Sequence, residues 1–300
     1  MFTGIFYGLL AAFLQSASYI FSRHFMARHA NPVHLLIYSQ ACMGVFSLLL
    51  LPFVMRGELL SRSDYIFPII ICSLAFVFGQ LCFFKVIKEI EASVASSLLG
   101  LKILMLAILS VAFLNAKISL IQWLALSVCM IAAMMMNGSS KKMNWRAAGW
   151  LFLTCLGYAV SDLYIRRIIE TMPGPSFVQR VLLGAALSYL LLGILSIPAL
   201  FMIKRSGSAL KCAIPFAICW YLAMIFLFAC FAVIGPLFGN IIQSTRGLIS
   251  IGFGVLIARM GHHHLESVTG RRLFWYRLAA ALLMFAAIVT YTLTQNAGQH

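Results

Sequence analysis

The sequence consists almost entirely of apolar stretches of about 20 residues, separated by short polar breaks. A helix of that length crosses the hydrocarbon core of a bilayer of roughly 30 Å and bonds its backbone groups within its own segment. Ten such stretches predict an all-α membrane protein with ten transmembrane helices. The predicted spans lie near residues 2–22, 33–55, 65–86, 92–114, 119–137, 147–166, 176–203, 213–233, 236–258 and 273–294.

Composition and charge support a membrane protein and argue against other classes. Hydrophobic residues make up 63% of the chain and charged residues 10%, which rules out a water-soluble core. The formal net charge is +15, and the basic residues stand in small groups between apolar runs, as loop charges at a membrane surface do. A nucleic-acid surface would gather them on one solvated face. The predicted surroundings are therefore a lipid bilayer, with no nucleic acid.

The residues that bind metals or perform catalysis show no matching pattern. The eight cysteines have no C-x-x-C spacing and are interpreted as small buried apolar residues. His262, His263 and His264 are adjacent, and a helix cannot direct all three to one metal. No paired carboxylates or Ser–His pair is visible at membrane depth. We therefore predict no metal, no cofactor, no catalytic residue and no enzymatic activity.

The two halves of the sequence resemble each other at a shift of 144 residues. This shift aligns Ser18 with Asp162 and, most usefully, Lys102 with Arg246. We predict two five-helix repeats, residues 1–140 and 141–300. Because five crossings are an odd number, the second repeat begins on the opposite side of the membrane, so the repeats are inverted. Such repeats place a substrate site near the midplane and move by alternating access.

Two segments carry a resemblance to a known family. The stretch IEASVASSLLGLKILMLAILSVAFLNAKISLIQWLAL and its weaker second copy VIGPLFGNIIQSTRGLISIGFGVLIARM resemble the EamA-type branch of the drug/metabolite transporter superfamily. The resemblance implies ten helices in a 5+5 arrangement over nearly the whole chain, and efflux of a metabolite across the inner membrane. The turn Asn115-Ala116-Lys117 departs from the family because it lacks the common acidic residue, and the second half carries a basic residue where many relatives are neutral.

Two cations lie deep in predicted spans, Lys102 in the fourth and Arg246 in the ninth. A charge at the bilayer centre costs about 2.5–3.5 kcal/mol, so such residues mark functional sites by default. The resemblance implies that these two helices line the central cavity. A phosphate or carboxylate would pair with Arg246 in bidentate fashion and with Lys102 as a point charge. The alternative is that each cation pairs with a carboxylate or with carbonyls of a neighbouring helix.

Other polar residues are weaker candidates. Asp162 is either an ion-pair partner of Arg166 one turn later, which we favour, or a proton-coupling carboxylate. Arg180 matches a position where family members often carry a basic residue. Polar groups in cavity-facing helices bind substrate or join helices. The remaining predicted substrate-binding residues are Gln15, Ser18, Tyr19, Tyr38, Gln40, Tyr158, Ser161 and Thr245.

The sequence therefore predicts a secondary transporter of a small anionic or zwitterionic metabolite, such as an amino acid or an organic phosphate. One alternative is a proton-coupled exporter of cationic amines or drugs, and another is a membrane-embedded lipid-handling or scaffold protein. A bacterial inner membrane is the expected location. Whether the chain forms a homodimer is left undecided by the sequence. Most loop Lys and Arg follow odd-numbered spans, which places both termini outside by the positive-inside rule. The resemblance implies cytoplasmic termini, so orientation stays open as well.

Overall fold

The structure is a computed structural model of the 300-residue chain. Every regular element in the residues that it describes is an α-helix. The described residues are 1–29, 31–55, 63–89, 99, 101–114, 118–135, 145–246, and the isolated positions 249, 252, 253, 275, 279, 283, 286, 287 and 290.

Within those residues the helices follow one another with short connections. Six of them are long and apolar enough, by length and composition, to cross a membrane: Phe2–His29, Pro32–Val54, Ile66–Val86, Trp145–Thr171, Phe177–Met202 and Gly207–Ile234. These six helices fit the predicted multi-pass membrane protein. The helices are α1 (Phe2–His29), α2 (Pro32–Val54), α3 (Ile66–Glu89), α4 (Leu101–Leu114), α5 (Leu120–Met135), α6 (Trp145–Thr171), α7 (Phe177–Met202), α8 (Gly207–Ile234) and α9 (Pro236–Gln243).

The count of ten spans stays a prediction. The shorter apolar helix α4 ends at the residue where the fourth span was predicted to end. Residues 92–98 and 100 of that span lie outside the described residues. The predicted tenth span, 273–294, is described only at isolated positions.

Three helices extend well past their predicted ends. Helix α1 continues to His29, α6 continues to Thr171, and α8 begins at Gly207. The added turns carry polar and basic residues, among them Arg28 at the end of α1. The backbone stays helical in the polar residues beyond the apolar stretch, at the membrane–water boundary. A prediction from hydropathy alone therefore places the end of the helix too early.

Three antiparallel helix pairs form the body of the bundle: α1 with α8, α3 with α6, and α2 with α7. Glycines allow a close approach in each pair. A Cβ at Gly44 of α2 would lie 2.8 Å from the Gly193 Cα of α7, and a Cβ at Gly157 of α6 would lie 2.9 Å from the Gly79 Cα of α3. Small residues replace the hydrophobic effect as the basis of helix association in lipid, because they let backbones pack closely.

The structure shows a local interruption of the helix within the predicted ninth span, 236–258, of which residues 247, 248, 250, 251 and 254–258 lie outside the described residues. Helix α9 begins after Gly235, whose φ of 80° suits a residue without a side chain, and it ends at Gln243. Ser244 and Thr245 form a turn, and helical conformation returns at Arg246. The hydroxyls of Ser244 and Thr245 donate to the carbonyls of Ile241 and Ile242. Hydroxyl groups that bond backbone carbonyls in this way favour such a break.

The short helix α9 lies inside the bundle, against α1, α4, α6 and α8. Its apolar residues pack with Ile103, Leu106 and Ala107 of α4 in one buried cluster. All eight residues of α9 are buried. The polar side chains of α9, Asn240 and Gln243, are therefore buried within the bundle.

Candidate substrate site

A buried ion pair joins α4 to α6 beside α9. Lys102 Nζ lies 2.7 Å from Asp162 Oδ2, and the side chains are 21% and 11% exposed. Asn240 of α9 donates from Nδ2 to the same carboxylate oxygen at 2.8 Å and to the carbonyl of Pro236 at 2.8 Å. Each polar group in this cluster therefore has a partner, which low-polarity surroundings demand.

This pairing corrects two interpretations of the sequence. Arg166 bonds Glu170 at 2.8 Å on the exposed part of α6, so the favoured Asp162–Arg166 pair is wrong. Lys102 already has a carboxylate partner, as the alternative interpretation held. Of the two cations predicted to bind an anion, Arg246 alone lacks an acidic partner among the described residues.

Arg246 is held at the break after α9 by helix α1. Its guanidinium Nη1 donates to the side-chain oxygen of Gln15 at 3.3 Å, and its main-chain carbonyl accepts from the hydroxyl of Ser16 at 2.9 Å. Gln15 also donates to the sulfur of Met224 at 3.6 Å. Gln15 lies in the middle third of the 28-residue helix α1, which places this group deep in the bundle.

Two buried amides have unused hydrogen-bonding atoms among the described residues. Gln243, 5% exposed, has no partner for either its side-chain nitrogen or its oxygen, and Gln40, 7% exposed, has none for its side-chain oxygen. Gln243 lies one turn before Arg246 on the chain. Since an unmet buried amide costs free energy, these groups are suited to a bound polar ligand.

Aromatic side chains lie around this polar group. Tyr158 of α6 packs against the Phe76 ring at 5.8 Å between centroids. The Tyr19 ring meets the edge of Trp220 at 6.4 Å, and Trp220 donates to the Tyr189 hydroxyl at 3.3 Å. Of the predicted residues, Arg246 and Gln15 are thus in direct contact, and Tyr19 lies one helical turn after Gln15 on α1.

The other predicted residues form contacts that do not need a substrate. The Ser18 hydroxyl donates to the Gln15 carbonyl of its own helix, and Thr245 donates to Ile242. Ser161 contacts Cys72 of α3, with oxygen and sulfur 3.4 Å apart. Tyr38 lies away from the centre, where its hydroxyl accepts from the Ser206 backbone and donates to the Lys204 carbonyl.

Arg180 lies at the start of α7. It is half-buried, and its Nε atom has no partner among the described residues. Its aliphatic part packs near Gly174 in the connection before α7. The structure therefore places it at a helix end, apart from the group around Arg246.

Sequence reasoning missed Asn240 and Gln243. A signal was present, because these amides and Arg246 recur every three residues in GNIIQSTR, which is a helical spacing on a mostly apolar segment. Among the described residues, no group of three or more His, Cys, Asp or Glu could hold a metal ion. The cysteines whose side chains are described are free thiols.

The helices and their polar interior define a multi-pass α-helical membrane protein with a polar site inside the bundle. Residues 2–138 match the EamA-like transporter family. The first half of the chain therefore belongs to this family and, through it, to the drug/metabolite transporter superfamily, as the sequence motifs predicted. This family match implies a membrane transporter.

The comparison with solved structures concerns the fold. A structure titled "Crystal structure of protein" aligns with a TM-score of 0.71, covering 97% of this chain and 98% of that chain at 14% identity. Identity this low shows a shared fold alone. No curated protein sequence matches this chain significantly.

Proposed function

We propose that this protein is a secondary transporter that moves a small anionic or zwitterionic metabolite, such as an amino acid or an organic phosphate, across an inner membrane by alternating access. The observation that carries the proposal is the guanidinium of Arg246. It lies half-buried at a helix break, and its side chain bonds an uncharged amide.

The local charge balance favours an anion. Lys102 and Asp162 cancel each other within the bundle, which leaves Arg246 as a net positive charge among the described central residues. An Arg at the bilayer centre costs about 2.5–3.5 kcal/mol without a counterion. A carboxylate or phosphate removes that cost and accepts two parallel hydrogen bonds from the guanidinium.

The neighbouring groups suit the rest of a small metabolite. The side chain of Gln243 offers an unused donor and an unused acceptor among the described residues. Tyr19 and its neighbour Trp220 are aromatic, and aromatic rings attract an ammonium group through cation–π contact. An anionic group on Arg246 and an ammonium near the rings would satisfy a zwitterion.

The pattern of helix contacts supports alternating access between two inverted repeats, residues 1–140 and 141–300. If α1, α3 and α4 of the first repeat correspond to α6, α8 and α9 of the second, the contacts come in matched pairs. The α1–α8 contact matches the α6–α3 contact, and the α1–α9 contact matches the α6–α4 contact. Two five-helix copies related by a two-fold axis exchange partners in this way. Because the sequence carries no ATP-binding motif, a solute gradient or exchange would drive the movement.

The test is a thermal-shift screen of the purified full-length protein against carboxylated, phosphorylated and cationic metabolites. We expect anions or zwitterions to raise the melting temperature of the wild-type protein. Arg246→Gln should lose this shift while keeping its fold, because the Ser16 bond to the main-chain carbonyl remains. Gln243→Leu should weaken the shift without loss of stability.

Arg166→Gln is the matched control, since it removes one guanidinium from an exposed ion pair. It should respond to ligands as the wild-type protein does. Equal shifts in Arg246→Gln and wild type would contradict the proposed site. Stabilisation by cationic amines alone would instead favour the amine exporter, and would require a role for Asp162.

A further inference from the structure

A basic groove lies at the bundle end formed by the last turns of α1 and the first turns of α8. Its volume is about 680 Å³. Three basic side chains line it, His24 and Arg28 from α1 and Lys211 from α8. The remaining lining residues are Phe21, Gly207, Ser208, Cys212 and Pro215.

None of the residues that line the groove is acidic. The acidic side chains described there are Asp64, Asp162 and Glu170. Asp162 is paired inside the bundle, while Asp64 and Glu170 lie near the α2–α3 and α6–α7 connections, at the opposite end. Lys204 and Arg205 add further positive charge just before α8. The basic side chains therefore create a positive potential that favours an anion.

The backbone of α8 adds donors at the same place. Ser206 caps the helix by accepting from Ala209, while the N–H groups of Gly207 and Ser208 precede the first intrahelical bond. A Cβ at Gly207 would meet no atom within 4 Å, so this edge of the groove is open. Pro215 has no N–H to donate to the Lys211 carbonyl four residues earlier, which leaves that carbonyl as an acceptor.

The lining changes from basic to apolar with depth. Phe21 lies one to two helical turns deeper along α1 than His24 and Arg28, and Pro215 lies one turn deeper along α8 than Lys211. At 1.5 Å per residue, the apolar floor is about 5–10 Å below the basic mouth. A soluble anion would use the mouth alone, whereas an amphiphile would use both levels.

We propose that this groove binds an anionic phospholipid, with the phosphate at the basic mouth and the start of an acyl chain against Phe21 and Pro215. Arg28 and Lys211 pair with the phosphate, and the first N–H groups of α8 add hydrogen bonds to it. A headgroup hydroxyl, as in phosphatidylglycerol, donates to the Lys211 carbonyl. The groove is separate from the central site around Arg246.

The test measures binding of short-chain phosphatidylglycerol, short-chain phosphatidylcholine and inorganic phosphate to the purified full-length protein by native mass spectrometry and thermal shift. Phosphatidylglycerol should bind most tightly. The double variant Arg28→Gln/Lys211→Gln should bind it about 30-fold more weakly, the effect of two basic groups near an anionic surface.

Lys204→Gln/Arg205→Gln is the matched control, because it removes two charges from the same end of the bundle without altering the lining of the groove. It should retain most of the phosphatidylglycerol affinity. Equal binding of phosphatidylcholine, or an equal loss in both double variants, would overturn the proposal. Equal stabilisation by inorganic phosphate would assign the groove to a soluble anion and overturn the lipid assignment.

Discussion

Single polar residues within the bundle differ in whether their hydrogen bonds are complete. Asp162 bonds both Lys102 and Asn240, and this cluster ties α4, α6 and α9 together. Gln243, three residues after Asn240, has no partner among the described residues. Completed groups hold a structure together, whereas incomplete ones suit exchange with a ligand.

The buried ion pair gives a prediction about stability. Asp162→Asn should lower the free energy of unfolding by about 3–5 kcal/mol, because Lys102 keeps its charge without a carboxylate. The double variant Lys102→Met/Asp162→Leu should lose far less, since apolar side chains replace a buried pair at little cost. Unfolding of the purified variants in detergent with increasing dodecyl sulfate measures both.

The exposed pair of Arg166 and Glu170 is the control for that cycle. Its side chains are 47% and 46% exposed, so Arg166→Gln should change the unfolding free energy by less than about 1 kcal/mol. If the double variant at Lys102 and Asp162 is as unstable as Asp162→Asn, the two residues do not stabilise the protein as a coupled ion pair.

The location of this pair was beyond sequence reasoning. The two residues are 60 positions apart, while Arg166 lies one helical turn from Asp162 and offers the nearest sequence partner. Sequence spacing describes neighbours on one helix, but α4 and α6 meet only after the bundle has packed. Arg246 was predictable as a candidate because one charge in a long apolar run is visible without a fold.

At the level of elements, α2 and α7 make a close backbone contact. Gly44 and Gly193 bring the two backbones together, and each would place a Cβ within 3 Å of the other Cα atom. No side chain can rotate away from this contact, because its atoms belong to the backbone. The short distance between α2 and α7 therefore requires that both positions carry hydrogen in place of a side chain.

Gly44→Ala should therefore destabilise the protein by about 1–3 kcal/mol, the usual cost of overpacking. Gly149→Ala is the control, since Gly149 lies within α6 and a Cβ there would meet nothing within 4 Å. It should be neutral or stabilising by up to about 1 kcal/mol through helix propensity. Melting temperatures in one detergent compare them, and an equal effect of both substitutions would contradict the close contact.

Hydropathy predicted the helices better than their interruptions. The predicted spans of α2 and α7 differ from the observed helices by one residue at each end, because Pro32 and the Ser176 cap mark clear starts. The break after Gln243 was missed, since Ser and Thr are common within membrane helices and hydropathy does not register which carbonyl a hydroxyl bonds.

For the whole molecule, successive helices run in alternating directions, so each connection lies at one of the two ends of the bundle. The α1–α2 and α7–α8 connections lie at one end, and the α2–α3 and α6–α7 connections lie at the other. Cysteines introduced as Ala27→Cys and Ser208→Cys should react with an impermeant maleimide from one side of the membrane. Ser63→Cys and Pro175→Cys should react from the opposite side, because an odd number of crossings separates them.

The same labelling resolves the orientation that charge and family left open. The comparison uses intact cells and inverted vesicles, in a background whose native cysteines are replaced. Reaction of all four positions from one side would contradict the crossing pattern.

The bond between Ser16 and the carbonyl of Arg246 has a mechanical consequence. It attaches the segment that carries the guanidinium to the middle of the first helix by its main chain, independently of what the side chain holds. A tilt of that helix therefore moves the Arg246 guanidinium with it. Ligand binding at Arg246 and the tilt of the first helix are thus coupled.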